Sequence, residues 1–308
     1  MDWDTYNREF YYSASPASYF MARWNLLMLS AAEPDAVGAL LVAGIEYDGI
    51  TAKIEDRPQT EADERQHLAF LITESQSLLH HISESLIRLF LAHAGQPVSP
   101  WLEMASLNPF WKFKAQVALL THSHWPDGLE DEVLPVFLGR PRKDQTAQVL
   151  EAKTASIRLI RILSEHLLKD APLYNSVKHG LTVVAGHAGF SVISEQTGQG
   201  FGSSGTAVAF LEREKCPGGH TWKHTRQLVS IRRTLWLSHL AITQIEALWT
   251  IAMWPYSDIQ PEGVTVVTND GIDTAMIGEF SDANAITRFS HFIGFEAHWP
   301  KGEPTSQP

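Results

Sequence analysis

Apolar residues recur at helical spacing over residues 61–94, where the chain reads EADERQHLAFLITESQSLLHHISESLIRLFLAHA. They repeat every three or four positions and form one face of an amphipathic helix. The apolar members are Leu68, Leu71, Ile72, Leu78, Leu79, Ile82, Leu86, Leu89 and Phe90. Gly95 and Pro97 follow, as is typical of a helix end. The pattern predicts one long helix with a buried face.

Two further stretches predict long helices, at about Thr146–Lys169 and about Thr221–Trp254. Beyond Leu235 the second of them is apolar on nearly all sides, which is typical of a central, covered helix. Shorter helices are predicted near residues 16–30 and 101–121.

Between the second and third long helices the sequence becomes rich in β-formers around a Gly/Ser turn, from LTVVAGHAGFSVIS to TAVAFLERE. We interpret this stretch as a β-hairpin inserted at about residues 181–215. A second β segment is predicted in GVTVVTNDGIDTAMIGEF, whose Asn-Asp-Gly is a turn signal. The expected fold is mainly α: a helical bundle over residues 1–258, followed by a β-containing extension with a loose tail over residues 259–308.

Composition fits an ordinary globular protein, with 44% hydrophobic and 19% charged residues. The formal charge of −11 argues against coating nucleic acid by bulk electrostatics, although a local basic patch remains compatible with it. The single cysteine, Cys216, excludes an internal disulfide. The longest apolar run, Ala36 to Ile45, is about half the roughly 20 residues that cross a bilayer. We therefore expect a cytoplasmic protein with no membrane partner.

The stretch LYNSVKHG at residues 173–180 offers the first candidate site. Asn175, Lys178 and His179 fall on roughly one side of a short helix, where an amide and two potential cations could hold a phosphate or carboxylate. The same residues are also explained as a capped helix end, with Lys178 and His179 in the last turn and Gly180 after it. Both interpretations remain open at this point.

Arg88 and His93 form the second candidate, as Arg-Leu-Phe-Leu-Ala-His near the end of the first long helix. Together with the later Asn-Ser-Val-Lys-His-Gly and the small hairpin, this arrangement resembles the HEPN-type helical bundles of bacterial defence and toxin systems, over roughly residues 61–254. The resemblance implies an RNA-cleaving pair, with Arg88 and His93 at the matching positions. On a continuous helix, residues five apart point about 140° away from each other, so these two need a helix break or a second chain to converge. The alternative for His93 is a hydrogen-bonded core histidine.

Ionisable residues recur every seven positions on each long helix and form stripes. The stripes are Glu74, His81 and Arg88; Glu151, Arg158 and Glu165; and Arg232, His239 and Glu246. In the first two helices an exposed face explains the pattern. The third stripe runs into the apolar stretch, so we predict that His239 and Glu246 are buried and bonded to side chains of other helices.

Residues 212–233 carry six Lys/Arg against two Glu, with aromatic and histidine side chains interleaved. Such a segment could hold a nucleic-acid backbone, although the simpler explanation is a solvated hairpin exit and helix start. Cys216, His220 and His224 have spacings that zinc accepts, but no fourth ligand is evident, so no metal or other cofactor is predicted.

Two classes of function remain. The first is an RNA-directed enzyme or nucleotide-binding defence component, using Lys178 and His179 with the basic segment 212–233. The second is a non-catalytic interaction or scaffold bundle; a homodimer is compatible with either. The two are distinguished by whether Asn175, Lys178, His179 and a second polar set converge in one cleft.

Overall fold

A computed structural model describes residues 2–13, 15–144, 146–178, 182–193, 200–216, 219–257, 261–277 and 287–293. The fold is mainly α, with a small antiparallel sheet inserted. The helices are α1 (Trp3–Tyr12), α2 (Pro16–Ala32), α3 (Pro34–Ala43), α4 (Glu61–His93), α5 (Pro100–Ser106), α6 (Phe110–Leu120), α7 (Val133–Leu138), α8 (Ala147–Lys169), α9 (Ala171–Lys178), α10 (Ile231–Met253) and α11 (Asn269–Met276). The strands are β1 (Ile45–Tyr47), β2 (Ile50–Ala52), β3 (Val183–Ile193), β4 (Gly200–Cys216), β5 (Gly219–Leu228) and β6 (Arg288–Phe292). Short 3-10 helices cover Pro126–Glu132 and Trp254–Tyr256.

The prediction of the first long helix is confirmed. α4 begins after a reciprocal cap, in which the Thr60 hydroxyl accepts from the Asp63 amide and the Asp63 carboxylate accepts from the Thr60 amide. It ends where Gly95 adopts a φ of +79°, which suits glycine. Its apolar face packs against α2, α8 and α10, so α4 and α10 form the centre of the bundle.

The second long helix is confirmed within one residue as α8, but the third begins about ten residues later than predicted. Residues 221–228, expected in that helix, belong to strand β5. Ser230 caps α10 by accepting a hydrogen bond from the Arg233 amide at 3.2 Å, and this cap sets the start of the helix. The shorter helices predicted near 16–30 and 101–121 are confirmed as α2, α5 and α6.

The inserted element is larger than the hairpin we predicted. It is a four-stranded antiparallel sheet in the order β3-β4-β5-β6, whose last strand comes from the C-terminal extension. The β segment predicted after Pro261 is wrong in kind, because residues 269–276 form helix α11. The Thr268 hydroxyl accepts from the Gly271 amide at 3.1 Å and caps α11, so the Asn-Asp-Gly turn signal begins a helix here. The predicted loose tail after residue 298 lies outside the described residues.

The stripe on α10 lies at the edge of the bundle, contrary to our prediction. Glu246 is exposed and accepts a hydrogen bond from Ser15 at 3.2 Å, while His239 is half-buried beside Trp24 and Trp236. Ser15 and Trp24 belong to the cap and body of α2, so the stripe follows the α2–α10 seam. The buried polar side chains of α10 are not members of this stripe. Gln244, for example, is buried and donates a hydrogen bond to the Ser156 hydroxyl of α8 at 3.1 Å.

Within the described ranges, no single helix is both long and apolar enough to cross a membrane, although a bent pair, residues 3–32 with α3, meets that test of length and composition together.

Candidate nucleic-acid interface

The inserted sheet has one face against the helices and one face toward solvent. Val208 and Phe210 of β4 point inward and pack against Leu173 and Val177 of α9 and against Ile72 of α4. Because successive strand residues alternate between the faces, the register assigns every neighbouring side chain to one face or the other. Helix α9 therefore lies on the helix side of the sheet.

We call the solvent side of the sheet the outer face. Cross-strand pairs on it join Arg213 to Trp222, His224 to both Leu211 and His291, and Arg226 to Phe289. Side chains on this face include Val184, Ala209, Leu211, Arg213, Lys215, His220, Trp222, His224, Arg226, Phe289 and His291, while Ala207 and Leu228, of the same parity, are buried. Within the described strands no Asp or Glu lies on this face, so it is positively charged in a chain of net charge −11.

The acidic residues of β4 lie on the inner face and are paired there. Glu212 accepts hydrogen bonds from Arg288 and, at 2.7 Å, from the Thr225 hydroxyl. Glu214 forms an ion pair of 2.6 Å with Lys223. The register thus separates the charges of the basic segment: its glutamates pair with inner-face cations, and among the described residues Arg213, Lys215 and Arg226 form no ion pair with a carboxylate.

Aromatic and apolar side chains lie between those cations. Val184 is 75% exposed, Leu211 49% and Phe289 43%, and Trp222 is half-buried in the middle of β5. The rings of His224 and His291 stand 5.0 Å apart across the strands. A sheet that presents ring faces between cations can stack bases while it neutralises phosphates.

His224 contributes little to the charge of the outer face near neutral pH. Partial burial, the nearby Arg226 charge and His291 together hold the pKa of His224 below its ordinary value. His224 is therefore neutral near pH 7 and gains charge only in acid. Arg213 donates to the His220 ring at 2.9 Å, and its cross-strand partner on β5 is Trp222.

A buried polar network anchors the sheet to the bundle. Asp170 lies between α8 and α9. One of its carboxylate oxygens lies 2.8 Å from His166 Nδ1, and the other accepts a hydrogen bond from the Gln227 side-chain amide at 3.0 Å. Burial opposes ionisation of Asp170, but the hydrogen bond and charge of His166, with Gln227 and Lys169, outweigh it and lower its pKa. His80 of α4 stacks on Tyr174 at 3.9 Å, and burial lowers the pKa of His80 to about 3.

The α9 candidates lie on the opposite side of the sheet from the outer face. Asn175 and Lys178 are both exposed, and the Lys178 ammonium lies 5.9 Å from the Tyr174 ring. Lys178 is also close enough to His81 to contribute to lowering the pKa of that histidine, which burial lowers most. His179 and Gly180 fall outside the described residues. The structure therefore does not bring Asn175 and Lys178 into one cleft with the basic strands.

Among the described residues, Arg88 and His93 share no hydrogen-bond partner. Arg88 bonds Glu84 and the Leu107 carbonyl, at 2.8 and 2.6 Å, with its guanidinium 3.9 Å from the Phe113 ring. His93 is buried, and both ring nitrogens are bonded, to Tyr11 at 2.6 Å and to the Leu89 carbonyl at 2.7 Å. α4 continues without a break through both residues, so one chain does not assemble this pair.

The zinc-like spacing does not assemble a metal site. His220 and His224 share the outer face but are four strand residues, or about 13 Å, apart. Cys216 has the opposite parity and points to the inner face. No group of three potential ligands comes together anywhere in the described part of the chain.

Sequence reasoning missed the contribution of β6. Phe289 and His291 complete the outer face, and the only local signal was the alternation in RFSHF. No family model, curated protein or solved structure matches this chain. The HEPN-type resemblance thus stays a hypothesis that rests on the residues quoted for it.

Proposed function

We propose that this protein binds single-stranded RNA on the outer face of its sheet. The observation that supports this proposal is the segregation of charge by strand register. Arg213, Lys215 and Arg226 share a face with Trp222, while the glutamates of the same strand pair on the inner face. Cations supply affinity for phosphates and aromatic rings supply stacking, and this combination suits a single strand better than a duplex.

The interface can be tested by fluorescence anisotropy with a labelled oligouridine. Trp222→Ala removes one stacking ring and should weaken binding by about tenfold, the lower part of the range for base stacking. The triple change Arg213→Gln, Lys215→Gln, Arg226→Gln should weaken it further. Lys223→Gln is the matched control, because Lys223 is a cation of the same sheet on its inner face. Wild-type protein that shows no salt-sensitive affinity would contradict the proposal, and oligodeoxyuridine would test whether the 2′-hydroxyl is read.

Chemistry on bound RNA is a separate part of the proposal. The HEPN-type resemblance implies cleavage by Arg88 and His93, and the spacing of Asn175, Lys178 and His179 makes them the alternative reacting groups. The outer face and α9 lie on opposite sides of the sheet. Cleavage therefore requires either that the bound RNA passes around an edge of the sheet, or that a second copy of the chain supplies the reacting groups. A cleavage assay on labelled RNA, comparing wild type with the double change Lys178→Ala, His179→Ala, tests it.

A non-catalytic interaction protein is the second candidate, supported by α3. This helix, PDAVGALLVA, buries none of its residues, and Leu40 on it is 56% exposed. Exposed apolar helices of this kind are typical of docking surfaces. To separate this function from RNA binding, self-association and the capture of partner proteins are measured for the wild type and for a Leu40→Gln variant. A docking role predicts that the variant loses them.

A further inference from the structure

A cavity lies near the C-terminal end of α4, whereas the sheet packs against Ile72 near the start of that helix. Here the end of α4, the loop after α7 and the turn after α10 enclose a cavity of about 640 Å³. This volume is in the range of small-molecule sites. Tyr11, His93, Arg140, Arg142, Trp254 and Tyr256 supply its aromatic and ionisable groups.

The base of the cavity carries a neutral polar pair. His93 must donate from Nδ1 to the Leu89 carbonyl at 2.7 Å, so its Nε2 accepts from the Tyr11 hydroxyl at 2.6 Å. Burial lowers the pKa of His93 to about 4 and raises the pKa of Tyr11 far above its ordinary range. Neither group is charged near neutral pH, so the base is polar without being ionic.

The rim is positively charged. None of the described lining residues is acidic, and two of them are arginines. Arg142 is neutralised by Glu132 at 2.6 Å. Arg140 forms no ion pair with a described carboxylate, although its charge helps slightly to lower the pKa of Asp144. Arg140 is therefore the cation available to a ligand.

The walls are flat and apolar. Trp254 is 37% exposed, and Tyr256 stacks on Tyr11 with ring centroids 5.3 Å apart. Five prolines complete the lining. Rigid rings and prolines lose little conformational entropy when a ligand packs against them, and an indole face favours offset stacking of another ring.

Backbone geometry fixes the two ends of this site. Gln96 adopts a φ of +54°, which is uncommon for a residue other than glycine, and it is itself part of the lining. Gly139, with a φ of +60°, ends α7 immediately before Arg140. Non-glycine residues held in this conformation cluster at ligand sites, because only an over-determined structure maintains them.

We propose that this cavity binds a small planar aromatic carboxylate. The ring would pack between Trp254 and the prolines, and the carboxylate would accept paired hydrogen bonds from the Arg140 guanidinium. A neutral aromatic ligand would leave that charge unused, and an aliphatic anion would leave the indole face uncovered.

The test uses naphthalene-2-carboxylate and its neutral amide as probes, measured by calorimetry on the full chain. The carboxylate should bind about tenfold or more tightly than the amide. Arg140→Gln should abolish that difference, whereas Trp254→Leu should weaken both compounds alike. Arg65→Gln is the matched control, since Arg65 is an exposed arginine on the first turns of α4.

Two results would overturn the proposal: no binding of the carboxylate to folded wild type, or equal binding to wild type, Arg140→Gln and Trp254→Leu. If Trp254→Leu does not fold, Pro255→Glu replaces it. Pro255 is an exposed lining residue, and a negative charge there should weaken the carboxylate while leaving the amide unchanged. Loss of both probes equally in that variant would also count against an anionic ligand.

Discussion

The Nδ1 atom of His166 lies 2.8 Å from a carboxylate oxygen of Asp170, one helical turn further along the chain. The second oxygen of Asp170 accepts from the Gln227 amide on β5 at 3.0 Å. One carboxylate thus fixes the tautomer of a helix histidine and the orientation of a strand amide. The sheet is thereby tied to the bundle by a buried charge whose two oxygens are both bonded.

Asp170→Asn should destabilise the protein by about 2–3 kcal/mol. The uncharged amide loses the charge-assisted hydrogen bond to His166 and the attraction to Arg288, whose guanidinium lies 3.8 Å from the Asp170 carboxylate. Asp273→Asn is the matched control, because its partner Arg158 lies at 2.6 Å but the pair is half-exposed, and it should cost less than about 1 kcal/mol. Urea unfolding of the two variants measures both; equal costs would contradict the anchoring role of Asp170.

Stability should fall as the pH is lowered from about 6.5 toward 4. Burial lowers the pKa of His80 to about 3 and that of His93 to about 4, while both titrate near 6.5 when unfolded. The unfolded chain therefore binds protons that the native chain does not, and each histidine costs about 1.4 kcal/mol per pH unit in that window.

His80→Phe isolates one of these two histidines. Phenylalanine keeps a ring against Tyr174 and removes the Nδ1 atom, which is buried without a partner among the described residues. The slope of unfolding free energy against pH should decrease by about 1.4 kcal/mol per pH unit between pH 6 and 5. An unchanged slope would mean that His80 is protonated in the native protein.

The helical part of the fold was predictable because its signals are local. The Thr60 cap, the spacing from Leu68 to Phe90 and the Gly95 stop all lie within one segment, and α4 follows them. The start of α10 was not predictable in this way. Residues 221–228 become a strand because they pair with β4 and with β6, and the Thr225–Ser290 contact spans 65 residues.

The candidate site shows the same division between local and long-range information. The excess of cations in residues 212–233 is visible in the sequence, but their separation from Glu212 and Glu214 depends on strand register. The stripe of His239 and Glu246 was assigned to the core because its helix is apolar. Its position on the α2–α10 seam is set by where α2 packs, and neither helix encodes that alone.

Gly139→Ala should cost more than Gly95→Ala, although both glycines have a positive φ. At Gly95 a methyl group meets no described atom within 4 Å, so the cost is the conformational one of about 1 kcal/mol. At Gly139 the new methyl lies 3.1 Å from the Ile251 Cδ1 atom. Ile251→Val removes that Cδ1 atom. In a protein that already carries Ile251→Val, Gly139→Ala should therefore cost as much as Gly95→Ala costs in the wild type. Thermal unfolding of the four variants tests this, and additive costs for Gly139 and Ile251 would exclude the clash.

The salt dependence of RNA affinity should identify which surface carries the phosphate contacts. Each phosphate neutralised by a cation contributes about 0.7 to the slope of log affinity against log salt for a single strand. Arg213→Gln with Arg226→Gln removes two outer-face cations and should reduce the slope by about 1.4. Lys178→Ala combined with His179→Ala changes the last residue of α9 and the residue that follows it in sequence; because the described residues of α9 lie on the helix side of the sheet, the slope should stay unchanged. A reduced slope in the α9 variant, with a normal slope in the outer-face variant, would move the phosphate contacts to α9. Equal slopes in wild type and both variants would exclude either surface as the electrostatic interface.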